Sequence, residues 1–199
     1  SFCMCPGGFV VNASSEENHL VINGMSNHKR NEENSNSAIV VQVSNKDFGN
    51  NIFDGMNFQR HLEEKAYSLG NGLIPVQLFS DYENNTISKE FKSVKPIFKG
   101  NYKFTNINDI FPEFINNDLK EAINYFNNKI DGFNSGDAII AGVETRTSSP
   151  IRIVRDENGM SNIDGIYPIG EGAGYSGGIT TSAMDGIKIS ELIAKIYKN

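Results

Sequence analysis

Apolar and polar positions alternate in short runs through residues 1–45. CMCPGGFVVNAS, HLVINGMS and SAIVVQVS are rich in Val, Ile and Phe, and clusters of Gly, Asn, Ser and Glu separate them. This pattern predicts short β-strands joined by polar turns, with residues 31–37 (NEENSNS) forming a loop. The period lengthens in residues 57–70, where Phe58, Leu62, Ala66 and Leu69 recur at helical spacing and Gly70 stands at the C-cap position. Residues 71–104 mix apolar runs with turns and read as an exposed loop with one or two strands. A second helix follows. Asp109 is placed to cap it, Pro112 suits its first turn, and Ile115, Leu119, Ile123, Phe126 and Ile130 form one stripe.

Residues 136–145 (GDAIIAGVET) predict a largely buried strand. After a turn at SSP come a strand at IRIVR, a polar loop at DENGMSN and a strand at GIYPI. A final helix starts near Ile179. Its apolar residues Ala183, Ile187, Ile189, Leu192, Ile193 and Ile196 spread around the axis, so much of its surface must be covered. The order of elements predicts an α+β fold with a β-rich lobe and two helices ahead of a closing strand and helix.

Length and composition narrow the function classes. A chain of 199 residues buries a proper core, and 38% hydrophobic with 21% charged residues is ordinary for a globular protein. The net charge of −6 counts against a nucleic-acid surface, and the basic run HKR at residues 28–30 is followed at once by Glu32 and Glu33. No apolar run approaches the roughly 18 residues of a membrane helix. SFCMCPGGFV lacks the basic and long apolar regions of a signal peptide. Its Ser start, leading straight into a strand-like run, gives the expectation of a piece of a longer protein. Two cysteines make no disulfide framework, which favours a reducing cytoplasm.

Gly172, Gly174 and Gly177 match the dinucleotide fingerprint G-x-G-x-x-G between the GIYPI run and the last helix. A working fingerprint needs a second parallel strand after the helix, bearing an acid for the ribose, and the sequence ends first. The match therefore fails as the opening turn of a Rossmann unit. What remains is Gly170 and the Glu171 carboxylate at the end of a strand, then Gly177, Gly178 and Ile179 at a helix start. Such a start offers unpaired N–H groups to an electron-rich ligand.

The stretch GIYPIGEGAGYSGGITTSAMDGIKISELIA resembles the closing segment of flavoproteins with a two-dinucleotide-binding type of FAD domain, with Glu171 in place of the usual Asp. FCMCPGG, NGMS, NSAIVVQV, FQRHLEEKA and GVETRTSSPIRI extend the resemblance to bacterial FAD-dependent dehydrogenases of uncharacterised activity. It covers nearly the whole chain and is weakest around residues 80–105. The resemblance implies an FAD-dependent oxidoreductase in which Glu171 bonds the ribityl chain. The Gly178–Ile179 helix start would then face the pyrimidine edge of the flavin. It divides the chain into a substrate-side lobe, residues 1–145, and the C-terminal segment of an FAD domain, residues 146–199. The N-terminal Rossmann half lies outside this sequence, so the fragment alone is expected to be inactive and to hold FAD weakly or not at all. A small-molecule substrate and NAD(P)H as electron donor are the expected partners.

Other residues carry candidate chemistry. Cys3 and Cys5 fall on one face of a strand, too far apart for an easy disulfide. Packing, a flavin- or substrate-facing role and metal binding all remain open for them, although no histidine has ligand spacing to them. Glu144 and Arg146 share a face by alternation and could form a structural ion pair. Alternatively, Arg146 steers an anionic group while Thr147 and Ser148 line a pocket. His28 and Arg30 are further candidates for the same cleft. Two rival readings remain: a non-catalytic flavin-fold scaffold lobe, and a flavoenzyme that modifies nucleic acid.

Overall fold

The computed structural model describes residues 3–197. They divide into two units: residues 3–43 with 59–145, and residues 44–58 with 146–197. The architecture is α+β, with three small sheets and five helices among the described residues.

The first unit begins with β1 (Met4–Cys5), β2 (Gly8–Asn12), β3 (Ile22–Ser26) and β4 (Asn36–Ser37). β1 and β4 form an antiparallel pair with Cys5 opposite Asn36. β2 pairs antiparallel with β3 in the register Val10 to Gly24. Helix α1 (Asn45–Phe48) and the first residues of α2 (Asp54–Gly70) belong to the second unit, and α2 continues into the first. Then come β5 (Ile74–Leu78), α3 (Phe79–Glu83), β6 (Phe98–Lys99), β7 (Tyr102–Phe104), a 3-10 turn at Ile107–Asp109, α4 (Glu113–Phe126) and β8 (Ile139–Ala141). β6 joins β2 in parallel. β5 sits between β7, parallel to it, and β8, antiparallel.

All five residues of β5 are buried, as expected of a strand that is apolar at four of its five positions and covered on both faces. Around it Leu20, Ile22, Ala66, Phe79, Tyr82, Ile107, Ile110, Ile123 and Val143 close the core. Each large side chain buried there contributes about 1.5–3 kcal/mol. The one polar residue of β5, Gln77, is fully satisfied. Its Nε2 donates to the Thr86 carbonyl at 2.6 Å, and its Oε1 accepts the Ile107 N–H at 2.8 Å. Tyr82 donates to Asn116 Oδ1 at 2.8 Å, and the Asn116 amide donates to the carbonyls of Asn108 and Phe111.

This buried polar web orders residues 79–112, which carry no legible period in the sequence. The exposed loop with one or two strands expected over residues 71–104 contains β5, α3, β6 and β7.

Several elements differ from the pattern reading. α2 starts at Asp54, before the apolar period begins. Asp109 ends the 3-10 turn instead of capping α4, whose N-cap is Pro112. The SAIVVQVS run contributes only Ser37 to a strand, and Val40 is 40% exposed.

In the second unit the IRIVR and GIYPI runs form no strands. A run of β-favouring residues becomes a strand only when a neighbour completes its ladder. Among the described residues, Ile153 finds a single backbone bond to Ala173 and the 165–169 run none to a strand. The closing strand expected from the sequence is therefore an irregular segment here. Helix α5 (Ile179–Ile196) does form, with Ile189 buried beneath it. Gly159, at φ +82°, faces that residue, and a Cβ there would stand 2.6 Å from Ile189 Cδ1.

Candidate functional site

The glycine-rich turn folds back on residues 151–155 of the same unit. Gly174 has φ +81°, and a Cβ there would lie 2.5 Å from the Ile151 carbonyl oxygen, so only glycine fits. Two tight bonds close the turn: the Gly174 N–H donates to Glu171 O at 2.8 Å and the Tyr175 N–H to Gly170 O at 2.9 Å. Arg152 donates through Nε and Nη2 to the Gly174 carbonyl at 3.1 and 2.8 Å. The Tyr175 hydroxyl accepts the Arg155 N–H at 3.2 Å. Its ring lies 3.6 Å from the Arg155 guanidinium carbon and 4.7 Å from that of Arg152. Two cations against one ring make a cation–π clamp.

Arg155 also reaches α5. Its Nη1 donates to Asp185 Oδ2 at 2.9 Å and its Nη2 to Oδ1 at 2.6 Å, while Nη1 also holds the Pro168 carbonyl at 2.8 Å. Both side chains are about one-tenth exposed. Asp185 Oδ2 in turn accepts the Gly170 N–H at 2.9 Å. The guanidinium bonds, helped by that N–H, hold the Asp185 carboxyl down at about 2. Gly170, at φ +70°, is thereby fixed, and its N–H is engaged by the protein itself.

Beyond this braced base the turn is open. Glu171 is exposed, and a Cβ on Gly172 or Gly177 would meet no atom within 4 Å. Gly178 caps α5: its N–H donates to Thr181 Oγ1 at 3.2 Å, and its carbonyl accepts the Ser182 N–H at 2.9 Å. The first-turn amides that follow have no acceptor within the helix. No acidic residue occupies that first turn, and Ile179 is 94% exposed. Gly170, Glu171, Gly177, Gly178 and Ile179 thus lie on one continuous turn. Backbone donors with no side chain over them suit an electron-rich group, and the neighbouring carboxylate suits a hydroxylated chain.

The other candidates lie apart in the chain. Cys3, Cys5, His28 and Arg30 belong to the first unit, and Arg146, Thr147 and Ser148 to the second. Cys3 and Cys5 are half-buried free thiols. Cys5 Sγ stands 3.6 Å from where a Cβ on Gly24 would be. Glu144 accepts the Asn23 amide at 3.2 Å. Burial pushes the Glu144 carboxyl upward, and burial followed by the Glu144 charge pushes both thiols upward. His28 and Arg30 are exposed on a turn, Arg30 at φ +48° with its N–H on the Asn27 carbonyl. Among the described residues, no group of three or more His, Cys, Asp and Glu is arranged to hold a metal ion.

A family model described as "FAD-dependent protein, C-terminal domain-like" matches residues 1–147. The chain belongs to that family. FAD is accordingly the cofactor of the full-length protein. An uncharacterized protein of Clostridium beijerinckii is 48% identical over 201 residues, covering 99% of this chain and 38% of the relative's own length. The chain thus spans less than half of that relative.

The family match holds the first unit's strands and thiols, whereas the glycine turn lies beyond residue 147. Sequence reasoning named the glycines and Glu171 but missed Arg152, Arg155, Tyr175 and Asp185, which shape the turn. A signal for them did exist: two arginines three apart stand in the β-favouring run IRIVR, and an aromatic and an acid follow, in the glycine turn and on the next helix.

Proposed function

We propose that this chain is the substrate-side lobe and flavin-facing end of an FAD-dependent oxidoreductase, a dehydrogenase that passes a hydride or electrons through its flavin. Residues 1–145 would form the lobe, and residues 146–199 would complete the FAD domain together with parts of the protein outside this chain. The observation that carries the reading is the turn at residues 170–179, rigid at its base and bare at its helix start. When bound, FAD supplies the hydride- and electron-accepting chemistry, and the protein supplies position and field. Glu171 would accept hydrogen bonds from hydroxyl groups. The amides at the start of α5 would place partial positive charge where an electron-rich ring edge stands. Gly177 and Gly178 would keep that approach clear.

The substrate is a small molecule met by the first unit, where the half-buried thiols Cys3 and Cys5 stand within the electrostatic reach of Glu144. Arg146, Thr147 and Ser148 remain candidates to steer an anionic group, with His28 and Arg30 at an exposed turn. NAD(P)H is the electron donor in this reading, and the compartment is the cytoplasm. No helix among the described residues is long and apolar enough to cross a membrane.

The test is flavin reduction in the full-length protein by NADH, NADPH and a panel of small donors, followed in the visible absorption of bound FAD. Bleaching by at least one donor supports the oxidoreductase reading. A flavin that stays oxidised with every donor, yet is photoreducible, would favour a scaffold lobe.

A further inference from the structure

We propose that Arg155 and Asp185 form the positioning device of the cofactor turn, setting through Gly170 where Glu171 and the first amides of α5 stand. The inference rests on the reading of that turn as a flavin site, and it assigns to two residues a role that no glycine spacing predicts.

The geometry converges on one point. Asp185 lies on the second turn of α5, six residues after Ile179, and its carboxylate looks back toward the turn. One of its oxygens binds both Arg155 Nη1 at 2.9 Å and the Gly170 N–H at 2.9 Å. The other takes Arg155 Nη2 at 2.6 Å. Arg155 then anchors the chain on either side of the Gly170–Gly174 stretch, at the Pro168 carbonyl and against the Tyr175 ring. The residues before, at and after Gly170–Tyr175 are thus tied to the helix whose N-terminus they precede.

Gly170 itself, at φ +70°, has no Cβ to restrict its rotation. Without an acceptor for the Gly170 N–H, the turn would keep its internal bonds from Gly174 and Tyr175 but lose its tie to α5, and a site loose by about 1 Å loses much of its binding and catalytic effect. An ion pair on a surface would contribute little. This pair is nine-tenths buried, bidentate and shared with a backbone donor, so it fixes geometry more than it adds stability.

The experiment uses the full-length protein with FAD. Arg155→Lys keeps the charge but loses the fork. The double variant Arg155→Met with Asp185→Leu removes both charges together, which leaves neither buried alone and preserves the fold. Glu171→Ala and Gly178→Val probe the cofactor-facing positions directly. FAD dissociation constants, the visible spectrum of bound flavin and its midpoint potential are measured alongside far-UV circular dichroism.

The expected result is a tenfold or greater rise in the FAD dissociation constant for the double variant and a smaller rise for Arg155→Lys. The potential should also be lowered and the flavin bands altered, with secondary structure retained. Glu171→Ala and Gly178→Val should weaken binding as well. If those two weaken binding while a folded double variant stays within twofold of wild type with unchanged spectrum and potential, the positioning role is overturned and the turn remains the site. If none of the four changes binding, the flavin reading of the turn falls with it. If the Arg155 and Asp185 changes weaken binding but Glu171→Ala and Gly178→Val do not, the pair acts elsewhere and the proposal is again overturned. Should the double variant fail to fold, Arg155→Lys decides by the same potential and spectrum.

Discussion

Of the seventeen apolar side chains buried among the described residues, fifteen lie in the first unit, and two, Ala173 and Ile189, lie in the second. The first unit packs Ile74, Val76, Phe79, Tyr82, Ile107 and Ile110 to within 1% of full burial. The second leaves Val154 at 76%, Ile179 at 94%, Met184 at 64% and Ile187 at 62% exposed. It is held instead by tight backbone turns, one buried ion pair and a tyrosine between two arginines. A unit of the first kind is stabilised by removing apolar surface from water. One of the second kind fixes local geometry but leaves an apolar face over, and such faces are sites of association. The proposed completion of an FAD domain by protein outside this chain gives that face its occupant.

The contrast breaks most visibly at the cores. Phe79→Ala should cost the first unit about 3–5 kcal/mol, read in denaturant unfolding of this chain, with the second unit's turn unaffected. Asp185→Ala should cost the second unit about 3 kcal/mol, because the Arg155 guanidinium is left buried without its partner. Hydrogen exchange should register this at residues 150–197 and not in β5.

Acid should sharpen the same division. Because the Asp185 carboxyl is held at about 2, below the ordinary value of 3.8, its contribution is complete above about pH 4 and is lost as pH falls through 2. The full span is worth roughly 2 kcal/mol. Tyrosine fluorescence or chemical shifts of Tyr175 should report that loss before the first unit unfolds. Glu144 has the opposite sign. Burial raises its folded value, so it favours the native state at low pH and disfavours it as pH rises through that value. Ile187→Ser should change the stability of this chain by less than about 0.5 kcal/mol, and cost about 1–2 kcal/mol in the full-length protein if the face is covered there as proposed. The smallest effect is expected at the thiols. Glu144→Gln removes a charge that disfavours their ionisation, so alkylation of Cys3 and Cys5 near neutral pH should be modestly faster than in wild type.

The same contrast governs what could be read from the residues alone. Helices α2 and α4 and strand β3 were legible because an apolar period or alternation records burial against this chain's own core. Residues 79–112 were not, since Gln77, Asn106, Asn108 and Asn116 order them through buried and half-buried hydrogen bonds, which leave no period in sequence. GIYPI and IRIVR were read as strands from their β-branched content, yet they find no ladder among the described residues. Residue preference states what a segment favours, while pairing depends on a neighbour. At the turn, the glycine spacing made Gly170, Gly177 and Gly178 visible. Arg155 and Asp185, thirty residues apart, form a bond whose geometry only folding brings together.

The central claim is that the first unit is complete in itself and that the second is completed by FAD and the rest of the protein. Amide hydrogen exchange, compared between this chain and the FAD-bound full-length protein, tests it most directly. The account predicts equal protection of β5, α2 and α4 in both, and amides of residues 150–197 that exchange quickly in this chain and become protected in the full-length protein. Equal exchange of residues 150–197 in the two would contradict it, as would a gain in protection confined to the first unit.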